Sequence, residues 1–156
     1  FITWNDVSNS QSLNRDYLPI PIVEWKYNDF NLKTTTFAAN VEGKPVLVVN
    51  YTAENKSDMM VEGKLFVTLR PFQVNPPSQD LNIVGGTANI RSIKYSDGIA
   101  TVNDTTQVLS LSTHNAFGAT EFDQGDITSF VSRGEVPSTH ISSIISVMHL
   151  LHSNMT

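Results

Sequence analysis

The chain has 156 residues, with 10 Lys+Arg against 15 Asp+Glu for a net charge of −5, and charged residues make up only 16% of it. So sparse and acidic a complement argues against a phosphate-tracking nucleic-acid groove, and a Cys count of 0 removes thiol nucleophiles, Cys-ligated zinc, iron–sulfur clusters and disulfides. A hydrophobic share of 40% is enough for a core in one domain of this length, and no apolar run approaches the ~20 residues of a membrane span.

The chain opens on Phe1, and Phe1-Ile2-Thr3-Trp4-Asn5-Asp6 has neither the basic nor the apolar region of a signal peptide, so the expectation is a segment of a longer protein. The dominant periodicity is two. Ile20-Pro21-Ile22-Val23-Glu24-Trp25-Lys26-Tyr27 and Phe30 to Ala38 read as strands joined by Asn28-Asp29, both of which tolerate positive φ. Glu42-Gly43 then turns the chain into a strand over 46–54, which places Leu47, Val49, Tyr51 and Ala53 on one face and Val48, Asn50, Thr52 and Glu54 on the other. After the polar turn Asn55-Lys56-Ser57-Asp58, alternation resumes through Met59, Val61, Leu65, Val67 and Leu69. Short connections make sequence neighbours sheet neighbours, so residues 20–70 are expected to form a four-stranded meander.

Downstream, Ser96-Asp97-Gly98 is a strong hairpin signal between strands at 90–95 and 99–102, and two further short strands are expected at 107–111 and 117–122. Ile127, Phe130 and Val131 change to helical spacing, with Asp126 as N-cap and Gly134 as the C′ residue. Residues 141–156 fit neither period and are read as a final strand, a frayed helix or a tail. Many short strands and one short helix give an all-β, antiparallel β-sandwich, taken as a single domain over 1–156.

One stretch exceeds what local structure needs. In Arg70-Pro71-Phe72-Gln73-Val74-Asn75-Pro76-Pro77 the prolines stop the strand ladder and stiffen a loop, which groups Arg70, Gln73 and Asn75. A guanidinium with planar amides is suited to pairwise hydrogen bonding of sugar hydroxyls or a carboxylate, and the same groups could tie down loop carbonyls instead. Trp25 alternates with Val23 and Tyr27, so it is either a sheet-face packing residue or a platform for a sugar ring. Gly85-Gly86 lacks the flanking residues of a phosphate loop, and His149/His152 lacks an acidic third ligand, so no metal or cofactor is expected. Glu121 and Asp123 share a strand face with Asp126 nearby, at a spacing that could serve a glycosidase acid and base, although such pairs usually come from opposite walls of a cleft.

The run Leu69-Arg70-Pro71-Phe72-Gln73-Val74-Asn75-Pro76-Pro77, with Leu81-Asn82 and Gly85-Gly86 after it, resembles a segment of large bacterial proteins described as coagulation factor 5/8 type (discoidin) domain-containing. Tyr17-Leu18-Pro19-Ile20-Pro21, Phe117-Gly118-Ala119-Thr120 and Phe122-Asp123-Gln124-Gly125-Asp126-Ile127 extend the likeness over most of residues 17–137. Those proteins are similar to six-hairpin glycosidases, in which a galactose-mutarotase-like β-supersandwich precedes an (α/α)6 catalytic barrel. The resemblance implies a non-catalytic accessory β-sandwich of a carbohydrate-active, glycoside hydrolase-like parent, incomplete where the sequence departs from the family over 144–156, and in a periplasmic or extracellular setting. It also implies packing on the catalytic domain of the same parent; the residues expected to contact carbohydrate, from their side-chain chemistry above, are Trp25, Arg70, Gln73 and Asn75. The residues do not resemble a discoidin module itself, which is commonly closed by a disulfide. Two other readings remain: a free-standing glycosidase using Glu121, Asp123 or Asp126, and a protein-interaction or adhesion sandwich. An incomplete sandwich would also self-associate through its sheet edges.

Overall fold

The computed structural model describes residues 1–70, 72–73, 87–88, 90–121, 126–138, 141–142 and 147–151. The chain forms an all-β, antiparallel fold with one short helix, and it divides into two compact units, Ile2–Gly63 and Lys64–His152.

The first unit is a single meander: β1 (Ser8–Asn14), β2 (Leu18–Tyr27), β3 (Phe30–Val41) and β4 (Lys44–Asn55), side by side in that order. Its turns are those the residues favour. Tyr27 lies opposite Phe30 across Asn28-Asp29, with Asn28 at φ +46°. Val41 lies opposite Lys44 across Glu42-Gly43, at φ +52° and +81°, the paired left-handed angles of a type I′ hairpin whose twist matches its strands. The Asn40 side-chain oxygen accepts from the Gly43 N–H at 2.8 Å and braces that turn. The register then separates two faces: Val23, Trp25, Leu32, Tyr51 and Ala53 share one, and Glu24, Lys26, Asn31, Lys33, Thr52 and Glu54 share the other.

This corrects the expected meander over 20–70 at both ends. β1, whose Ser-Asn-Ser-Gln-Ser run has no apolar alternation to reveal it, supplies the first strand by pairing with β2. The segment expected as the fourth strand does not return onto β4. Asn55 caps a turn, donating from its amide to the Met59 carbonyl at 2.7 Å and accepting from the Ser57 N–H at 3.0 Å, and Met59 and Met60 stand largely exposed. The chain re-enters a sheet only at β5 (Leu65–Leu69), in the second unit.

In the second unit β6 (Phe72–Gln73) pairs with β7 (Thr87–Ala88), and two larger sheets form the core. One has the order β10-β9-β8-β12, from β8 (Ile93–Ser96), β9 (Ile99–Val102), β10 (Thr106–Leu109) and β12 (Ile141–Ser142). The other has the order β11-β13-β5, from β11 (His114–Ala119), β13 (Val147–Leu151) and β5. Asp97 and Gly98, at φ +53° and +82°, close the β8–β9 hairpin as their residue types require. The segment that fits neither periodicity is thus partly strand, with 147–151 forming the middle of a sheet.

The two sheets face each other. Ile93 and Ala100 from one and Phe117 and Ala119 from the other are buried together, with Leu69, Tyr95 and Val102 against them. The Tyr95 ring stacks on Phe117 with centroids 4.1 Å apart, a contact that adds orientation to the apolar burial. The helix α1 (Ile127–Ser132) covers the reverse side of β5, where Ile127 and Val131 pack on Phe66 and Val136. Phe66 and Leu69 differ in strand parity, so β5 feeds both layers. Gly118 lets the Pro137 backbone lie against β11, because a Cβ built there would collide with the Pro137 carbonyl group. Gly118→Ala is therefore expected to cost about 3 kcal/mol in urea unfolding, through forced backbone displacement, whereas an unchanged midpoint would show that residues 136–138 do not pack on β11.

Candidate functional site

The residues singled out in the sequence fall at different places. Arg70, which follows β5, is ion-paired, its Nη2 standing 3.1 Å from Asp126 Oδ2. Gln73 lies in β6, its backbone opposite Thr87. Asn75, Asp123 and Gly85-Gly86 lie outside the described residues. Trp25 belongs to the first unit, half-buried on the apolar face of its sheet between Asn9 and Leu32. Glu121 is half-buried just beyond β11. Among the described residues, no group of three side chains is placed to hold a metal ion.

The Arg70–Asp126 pair has a structural explanation that begins with the helix. Asp126 is the N-cap, and its Oδ1 accepts from the Thr128 N–H at 3.1 Å, satisfying one of the donors a helix leaves free at its start. Its second oxygen accepts from Arg70, so both oxygens are engaged. At the other end Gly134, at φ +73°, donates its N–H to Val131 and Glu135 donates to Phe130, the Schellman arrangement expected from a glycine at C′. Lys64 then donates to the Gly134 carbonyl at 3.2 Å. The residues flanking β5, Lys64 and Arg70, thus hold opposite ends of the helix that packs on it.

Two surface concavities accompany these contacts. One, of about 350 Å³, lies on the first unit's sheet, lined by Glu24, Lys26, Asn31, Lys33, Thr52 and Glu54. Cross-strand pairing builds it: Glu24, Lys33 and Thr52 form one row and Lys26, Asn31 and Glu54 the next. Its charges balance, two lysines against two glutamates. Asn31 Nδ2 donates to Glu54 Oε2 at 3.3 Å, and Lys56 Nζ meets Glu54 Oε1 at 2.8 Å. Those two partners, Lys56 foremost, hold the Glu54 carboxyl below its ordinary 4.5. On the opposite face, burial pushes the Tyr51 hydroxyl above its ordinary 10.0. The other concavity, of about 510 Å³, is in the second unit, where the Tyr95 hydroxyl hydrogen-bonds His114 Nε2 beside Phe117 and Pro137. No local motif carries the sheet groove; its signal in the sequence is the alternation itself, once two turns fix which residues stand side by side.

Compared with family models, curated proteins and solved structures, the chain matches none. No described helix is long and apolar enough to cross a membrane.

Asp126→Ala should cost about 1 kcal/mol through the lost cap, and Arg70→Ala, at a half-exposed pair, about 0.5 kcal/mol, as read from chemical denaturation. An Arg70→Ala chain with unaltered stability would remove the structural role. The lowered Glu54 value means that its stabilising contribution is present above pH 4.5 and fades as pH falls through the lower folded value. A carboxyl NMR titration should place the Glu54 midpoint below 4.5 and return it upward in Lys56→Ala; a midpoint unmoved by that change would contradict the pairing.

Proposed function

We propose that the chain is a non-catalytic accessory β-sandwich of a bacterial carbohydrate-active, glycoside hydrolase-like protein, which packs on the catalytic domain of the same parent and contacts glycan. The observation that carries this reading is the two-faced sheet of the first unit. Its polar face presents an amide, a hydroxyl and balanced charges from rigid strands, a donor and acceptor set suited to an uncharged polyol rather than a polyanion. Its other face is apolar, with Val23, Trp25, Leu32, Tyr51 and Ala53 in register, yet none of residues 2–63, all of them described, is fully buried. A one-sided sheet ordinarily buries its apolar face against a second layer, and a neighbouring domain of a parent protein would supply one. The engagement of both Asp126 oxygens by the helix cap and Arg70 favours the non-catalytic reading over an acid–base pair built on that residue.

A glycan array tests the proposal. The chain should bind a neutral oligosaccharide, and Asn31→Ala/Thr52→Ala should weaken that binding about tenfold or more with an unchanged melting curve. Absence of any array signal, or turnover of aryl glycosides by the isolated chain that Glu121→Gln abolishes, would contradict it.

A further inference from the structure

The two edges of the first unit's sheet are built differently. β1 is short and polar, and a register shift between Leu13 and Asn14 breaks its alignment, both being devices that discourage further pairing. β4 has 12 residues in unbroken register with β3, and it carries Val46-Leu47-Val48-Val49, apolar on both faces. Such runs are characteristic of strands covered on both faces. Val46, Leu47 and Val49 are instead 38%, 68% and 41% exposed.

The backbone of that edge can be assigned. Across a two-residue hairpin loop the flanking residues are a hydrogen-bonded pair, so Val41 and Lys44 bond each other, and the even-numbered residues of β4 bond β3. The Lys56 N–H donating to the Asp29 carbonyl continues the same parity. The odd-numbered residues Leu47, Val49, Tyr51 and Ala53 therefore aim their N–H and C=O groups outward. Pro45, the residue without an N–H, falls on this outward set, so a strand added here lacks one hydrogen bond opposite Ala53 near each end, while the outward N–H and C=O groups of Leu47, Val49, Tyr51 and Ala53 stay available.

We propose that β4 is a self-pairing edge, which joins a second copy of this chain in an antiparallel β4–β4 ladder about a twofold axis at Val49. The occupant follows from complementarity. With Val49 opposite Val49, Leu47 meets Tyr51 and Pro45 meets Ala53 on the apolar face, while Val46 meets Thr52 and Lys44 meets Glu54 on the polar face. Opposite charges thus face each other at both ends of the ladder, and the symmetry makes each contact twice. Glu54, half-exposed beside Lys56, has the room to receive a second cation. The ladder uses the strand edge rather than a sheet face, and it meets the groove at its β4 rim, where Thr52 and Glu54 belong to both. One sheet runs through both copies, and the dimer leaves the guarded β1 as the outer edge of each half.

Sedimentation of the full chain tests this directly. The wild-type chain should sediment as a dimer that dissociates on dilution. Lys44→Glu should weaken the dimer roughly tenfold, because like charges then face each other twice, and Lys44→Glu/Glu54→Lys should recover it. Val49→Pro removes an outward N–H without touching the β3 ladder, so it should yield a monomer with the circular-dichroism spectrum of the parent. A wild-type chain that stays monomeric at every concentration, or a dimer that survives Val49→Pro, overturns the proposal. A dimer lost in Val49→Pro but unaffected by Lys44→Glu overturns the register.

Discussion

Glu42 and Gly43 both occupy left-handed backbone angles, at φ +52° and +81°, and that pair of angles is what sets β3 against β4 with Val41 opposite Lys44. In a pleated ladder a slip of one residue exchanges the faces of an entire strand. The twelve pairs of the β3–β4 ladder therefore inherit their orientation from two residues. Gly43 meets the requirement without cost, and Glu42 adopts a conformation that side chains rarely take, held by strands long enough to impose it. Asn28 plays the corresponding part between β2 and β3.

From that register come the features that bear on function. The polar groove, the apolar face with Trp25 and the outward backbone groups of β4 are three views of one alignment, and none survives a slip. The second unit is organised by layering instead. Its two sheets enclose Ile93, Ala100, Phe117 and Ala119, and β5 turns its other side to the helix. The cations that flank β5 hold the helix at both ends, Lys64 at the Gly134 carbonyl and Arg70 at the Asp126 carboxylate.

Where residues signal by local chemistry, the sequence was legible. Three hairpin turns, the N-cap at Asp126, the C′ glycine at Gly134 and the wet and apolar faces of β4 are all as their residue types and spacing imply. What was not legible depends on distance along the chain. β1 is built of Ser and Asn and gains its strand conformation from β2 rather than from its own pattern. β5 alternates like a continuation of the meander, but its partner is β13, about eighty residues onward, and no local rule finds that pairing. The groove likewise draws on β2, β3 and β4 together, so its residues become a group only after the ladders are aligned.

Cross-strand contacts between backbone Hα atoms, seen as nuclear Overhauser effects, are the most direct measure of the alignment. Directly opposite residues of a non-hydrogen-bonded antiparallel pair bring their Cα atoms to about 4.5 Å, close enough for a strong signal. The register requires such signals between Thr34 and Tyr51 and between Thr36 and Val49. Signals from Thr34 to Asn50 or to Thr52 in their place would mean a slipped ladder, with the groove and the apolar face exchanged.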